Sequence, residues 1–282
     1  MKLEQKRAMR FINEEMLPRF ILFVFCFVFI MPFYWMIITS LKSNEELQMI
    51  PPTIWPLRPL FEHYAEAVNF IPFFLYMGNS IIVLIFTVIG AIISNSLIAY
   101  GFSRISWKGR ETVFTVVIAT MFIPFPVVMV ALFDIFAKVR MINTFAPLIL
   151  PAYFGSAFNI FMMRQFLLTI PKEISSAGLI DGANEFQIFY KLILPLMKPV
   201  IAVVGIFTAL ASWNDFLGPL IYLQNQYLYT LPIGLQFFRS QYNVEYSLLM
   251  AASTLVVLPV VVIFFCFQRF FVQGITIGAV KG

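Results

Sequence analysis

The sequence predicts an all-α integral membrane protein, a single domain with six transmembrane helices, and three observations support this fold class. Of the 282 residues, 61% are hydrophobic and 12% are charged, whereas roughly a quarter of residues are charged in average soluble domains. The apolar residues are concentrated in runs that are each near the ~20 residues needed to span a bilayer. One polar stretch between two of these runs has the pattern of a helical hairpin. A water-soluble all-helical protein is excluded, because so few polar side chains could not cover its surface.

The apolar runs predict the spans in chain order. The first run is longer than the apolar core of a signal peptide and has no small-residue cleavage site, so we expect a membrane helix there. Prolines inside the later runs need not break these span assignments, because neighbouring helices can satisfy the freed backbone groups. They are Pro124 and Pro126 in the third run, Pro147 and Pro151 in the fourth and Pro259 in the sixth. Cys26 and Cys266 both fall within spans, which excludes a disulfide framework. The spans are predicted at about residues 20–40, 76–102, 112–134, 144–166, 200–222 and 246–268.

The distribution of Lys and Arg predicts the orientation, because cytoplasmic loops carry an excess of these residues. With the N-terminus inside, 14 of the 19 Lys and Arg residues fall in cytoplasmic segments. Both termini and the polar stretch 171–199 are therefore predicted to be cytoplasmic, and the loops 41–75 and 223–245 to be external. The first external loop is rich in proline and is expected to be irregular. The basic net charge reflects this asymmetry and does not indicate nucleic-acid binding.

The polar stretch 171–199 is predicted to form two short helices around a turn. Glu173 lies in a first helical turn, where it meets the positive end of the helix dipole. Asp181-Gly182 is a strong turn dipeptide. Asn184 can then cap a second helix, with Gln187 as its capping-box partner.

The second helix of this hairpin is predicted to have two faces. Its apolar residues follow at helical spacing, and Gln187 and Lys191 lie on the opposite face. Pro195 is expected to end the helix. The predicted apolar stripe, which would anchor one face, consists of Phe186, Phe189, Tyr190 and Ile193.

The motifs of common catalytic sites are absent from the sequence. There is no G-x-x-x-x-G-K-[ST] pattern to cradle ATP, and the single histidine, His63, has no partner at zinc-ligand spacing. No G-x-S-x-G setting for a nucleophile occurs. These absences argue against an enzyme.

Asp215 is an acidic residue within the predicted fifth span, roughly 23 Å along the helix from Val200 and so in its outer half. An ionisable group at membrane depth is costly and indicates a functional site, although Asp215 could also lie close enough to external water to be solvated. Trp213 and Asn214 offer a stacking face and an amide, which suit a polyhydroxylated ligand. Gly218-Pro219 is expected to interrupt the helix, and irregular backbone at this depth usually lines a cavity.

The hairpin resembles the cytoplasmic loop of the membrane subunits of ABC importers, which has the pattern E-A-A, three residues, G, nine residues and I-x-L-P. The corresponding positions are Ser176-Ala177-Gly178, Gly182 and Leu192-Ile193-Leu194-Pro195. Ser176, Gly178 and Leu192 depart from the pattern, which has Glu, Ala and Ile there. The resemblance implies that the hairpin docks on an ATPase subunit and couples to it through Glu173, Ser176, Ala177, Gly178, Asp181, Gly182, Phe186, Leu192 and Pro195.

A second resemblance is more specific. The runs Trp213-Asn214-Asp215-Phe216 and Pro219-Leu220-Ile221, followed by Thr230 to Leu235, resemble the fifth helix and next loop of the maltose-type permease of carbohydrate ABC importers. The C-terminal run from Gly274 resembles the tail of that subunit. The family implies that the substrate pathway includes Trp213, Asn214, Asp215 and Gly218.

The same resemblance implies a set of partners. They are a homologous sister permease that completes a heterodimeric pore, two ATPase subunits, and an external solute-binding protein that delivers a sugar. ATP and magnesium would be bound by the ATPase subunits, so this chain would hold no cofactor. The complex would lie in the cytoplasmic (inner) membrane of a bacterium or archaeon.

The external loop 223–245 has two interpretations. Thr230 could begin a short helix that places Leu231, Leu235 and Phe238 along one face, with its aromatic residues at the level of the lipid headgroups. The resemblance instead implies a loop that inserts into the docked binding protein and displaces its sugar. The candidates for that contact are Leu235, Gln236, Phe237 and Phe238.

Two other classes of transporter are alternatives. The hairpin pattern is shared by importers of other solutes, such as amino acids or phosphate, but the Trp213-Asn214-Asp215 run favours a sugar. An ion-coupled secondary transporter would require an internal repeat and several buried carboxylates, and the sequence has neither. A purely structural membrane scaffold would leave the two faces of the hairpin unexplained.

Overall fold

The computed structural model describes residues 16–239 and 245–279, and these residues form helices joined by turns and short loops. The α-helices are α1 (Leu17–Ser40), α2 (Asn44–Leu47), α3 (Glu62–Phe70), α4 (Phe73–Ser103), α5 (Arg110–Ala119), α6 (Phe125–Lys138), α7 (Ala146–Ile149), α8 (Ala157–Thr169), α9 (Glu173–Ile180), α10 (Glu185–Leu196), α11 (Lys198–Trp213), α12 (Leu217–Tyr222), α13 (Leu231–Gly234) and α14 (Tyr246–Ala279). Short 3₁₀ helices are Thr120–Phe122, Leu150–Phe154, Gln226–Leu228 and Leu235–Phe238. The prediction of an all-α fold is confirmed for these residues.

The chain divides into two compact units. The first unit contains the described residues up to Ile71 and those from Phe237 to Val257. The second unit contains residues from Pro72 to Gln236 and from Leu258 onward, so that α14 contributes to both.

In the first unit, the segment after α1 is built around two buried charged residues, Lys42 and Glu46. The Glu46 carboxylate accepts hydrogen bonds from the Thr53 hydroxyl at 2.6 Å and the Leu57 amide at 3.0 Å. The Lys42 ammonium donates to the Thr53 carbonyl oxygen and lies 4.9 Å from the centroid of the Trp35 ring. The expectation of an irregular loop over 41–75 is wrong, because these contacts organise a segment that includes α2 and α3.

In the second unit, α4 is the central helix and packs chiefly against α8 and α11. Gly90 allows a close approach, since a Cβ at that position would lie 2.4 Å from the Tyr153 ring. Polar side chains of α4 also hold the segment before α8. The Ser94 hydroxyl donates to the Ala152 carbonyl oxygen at 2.7 Å, and the Asn95 side-chain oxygen accepts the Ser156 amide at 2.8 Å.

Two of the predicted spans are sharply bent. The chain direction changes by 101° between the helical segments Arg110–Phe122 and Phe125–Lys138. Ile123 lies at the junction with φ −80° and ψ 120°, the extended conformation favoured before a proline such as Pro124. The third predicted span is therefore bent at its prolines, and it remains a single span only if the bent pair is counted together.

The described residues contain four helices that are long and apolar enough to cross a membrane. They are Leu17–Ser40, Phe73–Ser103, Ala146–Thr169 and Tyr246–Cys266. The count rises to six if each bent pair is one span, the second pair being α10 and α11 with a bend of 77°. The sequence thus predicts the apolar segments, whereas the bends were not predicted.

Candidate functional site

The hairpin consists of α9 and α10 on either side of Gly182. Gly182 has φ +80°, a conformation that glycine adopts without a steric penalty. The Asn184 side-chain oxygen accepts the Gln187 amide at 2.9 Å, and the Gln187 side-chain oxygen accepts the Asn184 amide at 3.0 Å. The predicted turn and the predicted capping box are both confirmed.

The two faces of α10 differ from the prediction. Phe189 and Ile193 are buried together with Ile188, whereas Phe186 is 69% exposed and Tyr190 is 61% exposed. The residues from Ile188 to Ile193 form a π-helix, whose wider turn changes the face on which each residue lies. The stripe inferred from a 3.6-residue period is therefore wrong at Phe186 and Tyr190.

The helix α10 also continues past Pro195 and ends at Leu196. The missing amide of Pro195 falls at the end of the π-helical segment, where the backbone hydrogen bonds have already shifted from the α-helical pattern. The predicted end of the helix at Pro195 is thus correct to within one residue. The chain changes direction at Met197, between α10 and α11.

The hairpin presents most of its predicted coupling residues to solvent. Gly178 is buried and faces α10, and Leu192 is half-buried. The Ser176 hydroxyl donates to the Lys172 carbonyl oxygen at 3.3 Å, within the first turn of its own helix. The exposed predicted residues are Glu173, Ser176, Ala177, Asp181, Gly182, Phe186 and Pro195. Leu179 and Ile180 are exposed beside them, so the outer surface carries large apolar side chains among polar ones.

A buried arginine near the hairpin was not predicted. Arg164 of α8 is 7% exposed and donates from Nη2 to both carboxylate oxygens of Glu111 at 2.8 Å. Its Nε donates to the Phe102 carbonyl oxygen at 3.1 Å, and its guanidinium lies 4.0 Å from the Phe114 ring centroid. Arg164 therefore joins the middle of α8 to the end of α4 and the start of α5. In the sequence, Arg164 is distinguished only as one of the basic residues that predict the orientation.

Asp215 lies in a break between α11 and α12. Its Oδ1 accepts the Gly218 amide at 3.1 Å, and a Cβ at position 218 would lie 2.4 Å from its Oδ2. The interruption is therefore at residues 214–216, and the prediction that Gly218-Pro219 interrupts the helix is wrong. Asp215 supports the start of α12, and Gly218 is the residue that allows the carboxylate to approach.

The neighbours of Asp215 have different environments. Trp213 is 3% exposed, so its ring is enclosed in this conformation. Asn214 is exposed, and its amide donates to the Leu210 carbonyl oxygen at 2.8 Å, at the end of α11.

A cavity of about 280 Å³ lies beside Asp215 and is rich in hydroxyl groups. The hydroxyls of Ser212 and Thr230 are buried and have no hydrogen-bond partner among the described residues. Thr230 itself is 4% exposed. The lining residues are Ser80, Val83, Thr87, Phe125, Leu148, Thr208, Ala211, Ser212, Asp215, Pro219 and Thr230. The cavity can accept a ligand that supplies hydrogen-bond donors and acceptors.

The described part of the loop 223–245 forms a short helix, Leu231–Gly234, where the sequence predicts one. In the second unit, Leu235 is half-buried and Gln236 is exposed. In the first unit, Phe237 is 42% exposed, whereas Phe238 is 1% exposed and stacks on Phe70 at 4.8 Å between ring centroids. Residues 240–244 of this loop lie outside the described residues.

Comparisons with known proteins identify the family. Residues 92–277 match the family described as binding-protein-dependent transport system inner membrane component. The chain belongs to this family.

The permease is also similar along its length to individual members. It is 35% identical over 262 residues to the arabinooligosaccharides transport system permease protein AraQ of Halalkalibacterium halodurans, covering 91% of this chain and 92% of that protein. It is 34% identical over 256 residues to the lactose transport system permease protein LacG of Rhizobium radiobacter, covering 90% and 92%.

A solved structure has the same fold as the permease. It is that of a bacterial ABC transporter involved in the import of the acidic polysaccharide alginate, with a TM-score of 0.80 and 20% sequence identity. The match covers 91% of the permease and 95% of that chain. The family match includes the hairpin and the Asp215 break, so both belong to the part of the chain that defines the family.

Proposed function

We propose that this permease is the transmembrane subunit of an ATP-driven importer of a sugar or oligosaccharide, which an external binding protein delivers. The observation that carries the proposal is the relationship to carbohydrate permeases over most of the chain. The relatives AraQ and LacG are named for arabinooligosaccharides and lactose, and each match covers at least 90% of this chain.

The membrane topology that we propose has six spans, with both termini and the hairpin 171–199 in the cytoplasm. It is supported by the four apolar helices and two bent pairs of the described residues. The excess of Lys and Arg in the segments assigned to the cytoplasm supports the orientation. The loops 41–75 and 223–245 would be external.

The hairpin would dock on an ATPase subunit through its exposed apolar surface. One face of α10 is buried against the permease, whereas Phe186 and Tyr190 of α10 and Ile180 of α9 are exposed. An apolar surface of this kind on a short helix suits a groove in a partner protein. Two ATPase subunits would bind ATP and magnesium, consistent with the absence of a phosphate-binding loop from this sequence.

Docking of this kind has a thermodynamic consequence. Closure of the ATPase pair would shift the equilibrium between the two open states of the pore by some factor. By linkage, the state of the pore would change the equilibrium constant for ATPase closure by the same factor. Inverting an equilibrium from 1:99 to 99:1 requires about 5.5 kcal/mol of coupling. A firmly held hairpin can transmit this free energy.

The substrate pathway would include the cavity beside Asp215. A sugar carries many hydroxyl groups, each of which can donate and accept a hydrogen bond. The unpartnered hydroxyls of Ser212 and Thr230, together with the Asp215 carboxylate, offer complementary groups. Asn214 is exposed at the same break.

The loop 223–245 would contact the external binding protein. Gln236 and Phe237 are the exposed members of the predicted set. Phe238 is buried against Phe70, so it would serve that contact by supporting the loop from within. A homologous sister permease would complete the pore.

Reconstitution of the complex tests the proposal. The permease, its sister subunit, the ATPase and the binding protein encoded by neighbouring genes would be placed in proteoliposomes. We expect uptake of labelled arabinooligosaccharide or lactose that requires ATP and binding protein. ATP-dependent uptake of an amino acid or phosphate instead would favour a non-sugar importer. Uptake that needs an ion gradient and no ATPase would favour a secondary transporter.

A further inference from the structure

The C-terminal end of α4 holds the beginning of the hairpin. Arg104, directly after α4, donates from Nη2 to the carbonyl oxygens of Leu167 at 2.7 Å and Ile170 at 2.6 Å. Its Nη1 donates to the Pro171 carbonyl oxygen at 3.2 Å. The last carbonyl groups of a helix have no partner within it and form the negative end of its dipole. Arg104 therefore caps α8 at the point where the chain enters the hairpin.

The guanidinium suits this position by shape and charge. It is planar and has five N–H donors, which allows one side chain to bind three carbonyl groups. Burial lowers the pKa of Arg104, and the nearby Tyr100 and Glu173 oppose that effect. The group remains charged at neutral pH, since arginine titrates far above it. A lysine could not reproduce the same fork.

One turn earlier, α4 also holds the second helix of the hairpin. The Tyr100 hydroxyl donates to Glu185 Oε2 at 2.7 Å, and Glu185 is the first residue of α10. The Tyr100 ring lies 5.1 Å from the Phe189 ring in an edge arrangement. Since Tyr100 and Arg104 are four residues apart, they lie on the same face of α4. That face thus contacts the start of the hairpin at Pro171 and its second helix at Glu185 and Phe189.

The buried residues around Tyr100 make the attachment continuous. Ala99 and Tyr100 belong to a core cluster that includes residues of α8, α10 and α11. The buried members of the cluster are Ala99, Tyr100, Met163, Leu167, Ile188, Phe189, Ile193, Met197, Val200 and Val204. A displacement of α10 would open this core unless α4 moved with it, because packed interiors have little free volume.

The other end of α4 lines the cavity beside Asp215 through Ser80, Val83 and Thr87. At 1.5 Å per residue, the helix carries the chain roughly 30 Å from Ser80 to Tyr100. We propose that α4 is the helix that transmits movement of the hairpin to this cavity, and that Tyr100 and Arg104 are the positioning residues that join α4 to the hairpin. This inference rests on the proposed function of the hairpin as the coupling element.

A set of variants in the reconstituted complex tests the inference. Tyr100→Phe removes the hydroxyl and keeps the ring, and Arg104→Lys keeps the charge but loses the fork. Tyr153→Phe is the matched control, since Tyr153 lies away from the hairpin and faces Gly90. We expect assembly and basal ATP hydrolysis to be unchanged in all three. Sugar transported per ATP should fall roughly tenfold in Tyr100→Phe, the order expected for loss of a hydrogen bond to a charged group. It should also fall in Arg104→Lys. Tyr153→Phe should transport as the unmodified complex does.

A double-mutant cycle assigns the effect to the contact. Glu185→Ala should reduce transport per ATP as Tyr100→Phe does, and the two changes together should cost little more than either alone, because they remove one shared interaction. Additive losses, or normal transport per ATP in Tyr100→Phe, would overturn the inference. A defect that appears equally in basal ATP hydrolysis and in assembly would also overturn it, since that pattern indicates a merely structural role.

A measurement independent of transport separates this inference from the proposed function. Hydrogen exchange of the α10 amides in the purified complex should be about tenfold faster in Tyr100→Phe than in Tyr153→Phe, since the anchor of α10 is weakened. Equal exchange rates would overturn the attachment whatever the solute. Faster exchange in a complex that transports no sugar would refute the proposed substrate and leave the attachment standing.

Discussion

Gly178 and Leu192 lie against each other across the hairpin. A Cβ built on Gly178 would be 2.9 Å from Leu192 Cδ1 and 3.1 Å from Ile188 Cγ1. These are two of the three positions at which the sequence departs from the ABC importer loop pattern, with Gly in place of Ala and Leu in place of Ile. Both departures therefore occur at one contact between α9 and α10, where the smaller residue makes room for the neighbouring side chain.

This contact predicts coupled effects of substitution. Gly178→Ala gains about 1 kcal/mol from the higher helix propensity of alanine, and overpacking against Leu192 offsets that gain by about 1–3 kcal/mol, so the change should be neutral or destabilising. In a Leu192→Val background the same change should be more favourable, because the Cδ1 atom that crowds position 178 has been removed while the gain in helix propensity remains. Thermal unfolding in detergent of the unmodified permease, the two single variants and the double variant would measure the interaction free energy between the two positions. Equal effects of Gly178→Ala in both backgrounds would contradict the contact.

The turn of the hairpin gives a prediction about coupling. Gly182 has φ +80°, which a β-branched side chain adopts only with strain. Gly182→Val should leave the complex in the membrane but abolish stimulation of ATP hydrolysis by loaded binding protein. Gly182→Asn is the matched control, since asparagine tolerates a left-handed backbone and should retain most of the stimulation. Full stimulation in Gly182→Val would show that this turn is not needed for coupling.

The features that the sequence predicted correctly are local ones. The capping box joins Asn184 to Gln187, three residues apart, and the positive φ of Gly182 follows from the Asp-Gly dipeptide. The apolar segments were found because about 20 consecutive residues each carry the signal. Such features need no knowledge of the rest of the fold.

The features that sequence reasoning missed depend on distant parts of the chain. The Tyr100–Glu185 hydrogen bond joins residues 85 apart, and the Arg164–Glu111 pair joins residues 53 apart. The π-helical turns of α10 change the buried face without any local signal that a 3.6-residue period would reveal. Whether Pro124 bends a span depends on neighbouring helices, which one sequence does not position.

The Arg164–Glu111 pair predicts an asymmetry between its two members. The Arg164 side chain is 9% exposed and that of Glu111 is 61% exposed. Glu111→Ala would leave a buried guanidinium without its carboxylate, whereas Arg164→Met would leave a carboxylate that water can solvate. Methionine also retains a favourable contact with the Phe114 ring. Glu111→Ala should therefore lower the thermal unfolding temperature more than Arg164→Met, and the reverse order would refute this account.

The proposed topology predicts which face of the membrane each loop occupies. Cys26 and Cys266 are both exposed and free, so they would first be replaced by serine. A cysteine at Ser176 should then be labelled by an impermeant thiol reagent only from the cytoplasmic side, and one at Gln226 only from outside. Both positions are exposed, and neither is the capping residue of its turn, as Asn184 and Asn225 are. Labelling of both from the same side would refute the six-span arrangement.

The hydroxyl of Thr230 gives a prediction in which stability and function change in opposite directions. It is buried at the cavity beside Asp215 and has no hydrogen-bond partner among the described residues. A buried, unpartnered hydroxyl costs about 1–3 kcal/mol, so Thr230→Val should leave the unfolding temperature unchanged or raise it. If the hydroxyl binds substrate, the same change should reduce sugar uptake by raising the concentration needed for half-maximal transport.

Thr39→Val is a matched control, because the Thr39 hydroxyl is also buried and without a partner among the described residues, but Thr39 does not line this cavity. We expect Thr39→Val to change stability in the same direction and leave uptake intact. Normal uptake in Thr230→Val would remove this hydroxyl from the substrate pathway.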